Sequence, residues 1–249
     1  MATGTFKVWR GDKTKGEFKE YKTEVTEGMV VLDAIHQIQA ESAVDLAARW
    51  NCKAGKCGSC SAEINGMPKL MCMTQIADLP PGETVTVEPM KAFPLIRDLV
   101  TDVSWNFAVK KTIKKFTPRK PDAPDGTWRM QQEDIERVQE FRKCIECFLC
   151  QDVCHVLRDH HHHDGFMGPR FFTYTAALDM QPLDTEDRLE HLKGEGGIGY
   201  CNITKCCTKV CPEEIQITDN AIIPMKERVV DRFYDPVKRL FRVFGGGAR

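Results

Sequence analysis

The chain opens on strand-like patterning. Thr5-Phe6-Lys7-Val8-Trp9-Arg10 and Glu17 to Val25 are separated by turn residues around Gly11-Asp12 and Gly16 and predict two strands. Val31, Leu32, Ile35, Ile38 and Gln39 then follow a helical period, predicting a helix from about Val30 to Ser42. Ser61 to Ile64 and Pro68 to Met73 flank Asn65-Gly66, a strong hairpin turn, and Thr84 to Glu88 supplies a last strand. Beyond residue 130 the pattern turns helical. Gln131 to Arg142 carries acidic residues early and Arg142-Lys143 late, which suits a helix dipole. Phe171 to Met180, Glu186 to Lys193 and Asp219 to Tyr234 are further helices. Near the end, Val237, Leu240, Phe241 and Phe244 form an apolar stripe beside Lys238, Arg239 and Arg242. That amphipathic helix suits a membrane surface, a partner, or packing on its own domain. A β-rich first part and a helical second part make the fold class α+β.

The two parts meet in a segment of different character. Lys110, Lys111, Lys114, Lys115, Arg119 and Lys120 sit among Pro118, Pro121 and Pro124. Proline density with a charge run reads as a linker, either a solvated connector or a basic patch facing anionic lipid. The expected domains are therefore 1–108, a linker over 109–128, and 129–249. The formal net charge of −1 gives no reason to expect a nucleic-acid partner. The N-terminus lacks the apolar core of a signal peptide, and no stretch has the roughly 18–20 apolar residues of a membrane span. These features predict a reducing compartment, where cysteines bind metal more often than they form disulfides.

Twelve cysteines fall into three groups. The first is Cys52-x4-Cys57-x2-Cys60 with Cys72 across the hairpin, a plant-type [2Fe–2S] spacing. Gly55 and Gly58 let the backbone approach and aim N–H groups at the sulfurs. The second, Cys144-x2-Cys147-x2-Cys150-x3-Cys154, is a bacterial ferredoxin run. The third, Cys201-x5-Cys207-x3-Cys211-Pro212, is the same repeat with Thr204 where a cysteine is expected. In two-cluster ferredoxins the fourth cysteine of each run ligates the other cluster. Cys144, Cys147 and Cys150 then take Cys211 and hold [4Fe–4S]. Cys154, Cys201 and Cys207 remain as a three-ligand site, suited to [3Fe–4S]. Zinc is the competing reading, but four cysteines within residues 144–154 crowd one tetrahedral site. Cys206 is either a fourth ligand or a small buried apolar side chain, and adjacent cysteines pointing different ways favour the second.

The first domain resembles the β-grasp fold of plant-type ferredoxins, and the second resembles a duplicated bacterial-ferredoxin core inside a helical domain. One [2Fe–2S] domain followed by [4Fe–4S] and [3Fe–4S] runs resembles the iron–sulfur subunit of respiratory complex II, the succinate:quinone and quinol:fumarate oxidoreductases. That resemblance covers nearly the whole chain. It implies an electron relay between a flavoprotein subunit carrying FAD and a quinone in a membrane anchor. It also implies peripheral attachment, expected at the cytoplasmic face of a bacterial inner membrane. The [2Fe–2S] site would face the flavin and the [3Fe–4S] site the quinone, with His155 and Thr204 as quinone-side candidates.

The chain departs from that family in places. His155 stands where family members often carry proline, no tryptophan follows nearby, and Asn202 replaces a frequent histidine. The run His160-His161-His162-His163 is read as a solvated loop, a proton-handling patch, or a metal ligand set. The competing functions are a soluble polyferredoxin carrier and a heterodisulfide-reductase-like iron–sulfur subunit. No catalytic residues for organic chemistry are expected, because the cofactors carry the reaction.

Overall fold

The computed structural model describes residues 2–236, so the apolar stripe from Val237 to Phe244 lies outside the described residues. Strands β1 (Ala2–Gly11), β2 (Gly16–Val25), β3 (Ser61–Ile64), β4 (Met67–Leu70) and β5 (Val85–Glu88) build one mixed sheet. Its order is β2-β1-β5-β3-β4, with β1 and β5 parallel and the other neighbours antiparallel. Alternation along β1 turns Phe6 and Val8 inward, both 0% exposed, against Val85 and Val87 of the parallel partner. Helix α1 (Val31–Glu41) lays Val31, Leu32, Ala34, Ile35 and Ile38 on the same face. Asp33 starts it by accepting the Val30 N–H at 3.2 Å. This is the β-grasp arrangement. Asn65 and Gly66 close the β3–β4 hairpin with positive φ at both positions, as the dipeptide predicts.

A short hairpin, β6 (Leu95–Arg97) and β7 (Val100–Thr101), leads into α2 (Ser104–Thr112). The second domain then carries α3 (Gln132–Gln139), α4 (Leu149–Asp152), α5 (His155–Arg158), α6 (Pro169–Asp179), α7 (Leu189–Lys193), α8 (Cys206–Lys209) and α9 (Ile223–Phe233). Its core gathers Phe141, Phe166, Phe171, Phe172, Ile217, Ile222 and Met225. A π-type turn, Ile217–Ile222, feeds α9, so the single long helix expected over 219–234 begins in a wider coil.

The connector is not free. Helix α2 runs across the expected 108/109 boundary. Farther on, the Arg188 guanidinium, 0% exposed, donates to the Lys114 carbonyl at 2.8 Å and the Lys115 carbonyl at 2.9 Å. A buried cation needs acceptors, and the linker backbone supplies them. Arg119 N–H donates to the Leu183 carbonyl at 2.8 Å, and Thr185 N–H to the Thr117 carbonyl at 3.0 Å. Lys110 pairs with Glu146, Lys114 with Glu186 and Arg119 with Asp122. Those three charges are engaged within the chain rather than offered to a lipid surface.

Candidate iron–sulfur sites

The four cysteines of the first group come together on one loop and hairpin. Cys60 leads into β3, and Cys72 follows β4. Cys52 Sγ accepts the Ala54 N–H at 3.3 Å and the Lys56 N–H at 3.4 Å, while Cys57 Sγ accepts the Ser59 N–H at 3.5 Å. Gly55 and Gly58 both take φ +67, which lets the loop curl around its own sulfurs. Burial works against ionising Cys57, but hydrogen bonds from Ser59 and Cys52 outweigh it and bring the thiol down to about 7. Burial pushes Cys60, beside Cys72, up to about 12. The corners of the set thus differ in acidity, and iron, when bound, would take both as thiolates.

The other two runs are copies of one another in backbone as well as spacing. At one constant interval, Cys144 matches Cys201, Cys150 matches Cys207, Cys154 matches Cys211, and Cys147 matches Thr204. The left-handed residues repeat too: Glu146 and Phe148 (φ 56 and 62) match Ile203 and Lys205 (φ 61 at both). Each second left-handed residue launches a four-residue helix, α4 or α8. The equivalent of Cys206 in the first copy is Leu149, a residue 1% exposed in the core of the first domain.

Cys144, Cys147, Cys150 and Cys211 line one cavity together with Phe148, Arg170, Ile215 and Ile217. Cys154, Cys201 and Cys207 line a second, with His155, Thr204, Cys206, Thr218 and Ile222. Each fourth cysteine therefore crosses to the other copy's cavity, the exchange expected from the ferredoxin rule. Burial raises Cys147 and Cys154 to about 12 and Cys207 to about 11, and drives Cys150 up as well. Among the described residues, no three His, Cys, Asp or Glu side chains converge on a point for a single ion. The thiols ring a cavity instead, the arrangement a multi-iron body needs.

The three sites adjoin. A Cβ built on Gly58 would stand 2.5 Å from Cys147 Cα, so the first cysteine loop lies directly on the second. Ser61 Oγ sits 2.9 Å from both the Gly58 and Cys147 carbonyls, and Lys56 pairs with Glu213 at 3.1 Å beside Cys211. Cys150 and Cys154, on and just after α4, then serve different cavities only one helical turn apart.

Comparison with known proteins agrees with this construction. The 2Fe-2S iron-sulfur cluster binding domain family matches residues 5–108, and the 4Fe-4S dicluster domain family matches residues 140–215. The solved Mycobacterium smegmatis Sdh1 complex in the apo form contains a chain 62% identical, with TM-score 0.91, covering 94% of this chain and 98% of that one. The fumarate reductase iron–sulfur subunit of Mycobacterium tuberculosis is 34% identical over 80% of each chain. The chain belongs to the family of succinate dehydrogenase and fumarate reductase iron–sulfur subunits. The succinate dehydrogenase iron–sulfur subunit of Paracoccus denitrificans is 28% identical over 91% of this chain and 88% of its own length. Three longer relatives also match, and the chain spans 41–44% of their length. The subunit carries a [2Fe–2S] and a [4Fe–4S] dicluster domain and works in electron transfer. No helix among its described residues is long and apolar enough to cross a membrane.

Several neighbours of the sites carry little signal in the sequence. Lys226 Nζ, on α9, donates to the Ile198 carbonyl at 3.1 Å and the Cys201 carbonyl at 2.7 Å, holding the loop that carries Cys201. Glu146 and Arg170 pair beside the four-cysteine cavity. Nothing local links these residues to their partners; only the Glu146 charge inside a cysteine run was a signal. Cys206 does not point away from the chemistry: it lines the third site, half-buried, with its Sγ 3.2 Å from Thr204 Oγ1. The histidine run is not a uniformly solvated loop. His160 and His161 are exposed, but the His162 ring packs on Tyr200 at 4.4 Å. His163 packs on Trp105 at 4.7 Å and donates from Nε2 to the Ala92 carbonyl at 2.9 Å.

Proposed function

We propose that this chain is the iron–sulfur subunit of a succinate:quinone oxidoreductase, relaying electrons between the FAD of a flavoprotein subunit and quinone in a membrane anchor. It attaches peripherally, at the cytoplasmic face of a bacterial inner membrane. Cys52, Cys57, Cys60 and Cys72 hold [2Fe–2S]; Cys144, Cys147, Cys150 and Cys211 hold [4Fe–4S]; Cys154, Cys201 and Cys207 hold [3Fe–4S]. When bound, these centres supply one-electron redox chemistry, and the polypeptide fixes their spacing, insulation and potential. The observation that carries the reading is the unbroken line of cysteine-bearing backbone, from Gly58 on Cys147 through α4 to the third cavity. Buried side chains such as Leu149 and Leu157 exclude water from that line. His155 and Thr204 border the third site and are the quinone-side residues.

The test is purification from detergent-solubilised membranes, followed by succinate. Co-purification with a flavoprotein and an anchor, and bleaching of the iron–sulfur absorbance by succinate, are expected. A stable soluble chain without partners, unreduced by succinate, would instead identify a free electron carrier.

A further inference from the structure

The four-cysteine cavity has a charged neighbour that cluster ligation does not explain. Arg170, the second residue of α6, lines it and is only 7% exposed in its side chain. The adjoining wall is apolar, with Ile145, Phe148, Ile215 and Ile217. A guanidinium there must find partners for its five N–H donors. One nitrogen, Nη2, donates to Glu146 Oε1 at 2.6 Å. The guanidinium also lies over the rings of Tyr174 and Phe171, at 5.4 and 5.8 Å. Nε is fully buried and has no partner. Glu146 does not neutralise it alone, because Lys110 binds the same carboxylate oxygen. Two cations therefore share one carboxylate beside four cysteines.

Given that these cysteines hold [4Fe–4S], the geometry points to Arg170 as the residue that sets the potential of that centre. With the centre bound, its orphan Nε–H would supply a hydrogen bond to a thiolate or sulfide, and its charge would favour the reduced form. A four-thiolate centre is anionic and becomes more so on reduction, while hydrogen bonds to sulfur and local charge are the levers on its potential. Both act strongly in a dry wall. The Glu146 contact fixes the plane of the guanidinium, so the Nε–H is held rather than free to swing. Arg170 touches no substrate; it is a positioning and tuning residue.

The experiment is an EPR-monitored redox titration of the assembled complex. Arg170→Gln is expected to lower the reduced-to-oxidised ratio at fixed potential by roughly tenfold, a downward shift of about 59 mV for one electron. The [2Fe–2S] potential should stay where it is. Arg170→Lys keeps the charge without the Nε–H and should fall between the two. An intact four-iron signal with an unmoved potential in both variants overturns the inference. Should Arg170→Gln lose the centre, the unmodified complex labelled with 15N-arginine decides. Pulsed EPR should find a 15N coupling to the reduced cluster that Arg170→Lys abolishes; its absence from the unmodified complex overturns the inference. An unmodified complex with no four-iron signal at all would overturn the ligand assignment instead.

Discussion

Replacing Gly58 by alanine tests the contact that joins the first site to the second. Gly58 sits at φ +67, and its added Cβ would meet Cys147 Cα at 2.5 Å and Cys147 Cβ at 2.8 Å. Ordinary carbon–carbon contact is about 3.5–4.0 Å, so the two cluster-bearing loops must part by roughly 1 Å. The left-handed backbone costs an alanine about 1–2 kcal/mol, and overpacking against backbone adds about 1–3 kcal/mol. Gly66 is the matched control, with φ +74 and nothing within 4 Å of the added Cβ. Its alanine variant bears only the first of these costs. In thermal loss of the visible iron–sulfur absorbance, Gly66→Ala should shift the midpoint by about 2–8 °C. Gly58→Ala should shift it by roughly 4–20 °C and slow succinate-driven reduction of the second and third sites relative to the first. Equal shifts, with unaltered reduction rates, would refute the claim that these loops are in close contact.

Other outcomes follow from buried charge and from the ligand sets. Glu63 is 0% exposed and is held by Lys91 at 3.0 Å within the first domain and by Arg158 at 3.0 Å from the second. Arg158→Met should destabilise by less than the ~3–5 kcal/mol of a wholly orphaned charge, because Lys91 remains, and adding Glu63→Gln should restore part of it in denaturant titrations. Burial, with Glu63 nearby, raises Asp152 from 3.8 to about 7, against the bond it accepts from the Ala92 N–H. Between about pH 4 and 7 the folded chain holds a proton that the unfolded chain releases, so this group's stabilising contribution falls as pH rises through that window. At most ~4 kcal/mol is involved, and Asp152→Asn should flatten the pH dependence of unfolding. Thr204→Cys restores the thiol matching Cys147, so iron should rise from about nine to about ten per chain and the oxidised three-iron signal should vanish. Cys206→Ser should leave that signal in place; its loss would make Cys206 a ligand.

What could be read from the sequence was what is local. Cluster ligands repeat at short fixed intervals, so the three cysteine groups stand out before any fold is known, as does the Asn65-Gly66 hairpin. Helix α2 was hidden because only Asn106 of its residues is fully buried and its Lys110-Lys111 end reads as part of a charge run. The linker's attachment depends on Arg188, more than seventy residues away in sequence from the carbonyls of Lys114 and Lys115. No window-based pattern carries such a pairing. For Cys206, adjacency to Cys207 predicts only a different side-chain direction, and the local backbone decides where that direction leads. The left-handed turn at Lys205 breaks the chain just before it, so Cys206 and Cys207 open a new helix at the edge of the cavity. In the duplication Cys206 takes the place of Leu149, and Cys207 that of the candidate ligand Cys150.

The most direct test of the whole account is low-temperature EPR of the purified complex, first air-oxidised and then reduced by succinate, with iron counted in parallel. A three-iron signal when oxidised, a two-iron signal after succinate, and about nine irons per chain are expected. About ten irons with no three-iron signal, or no response to succinate, would contradict it.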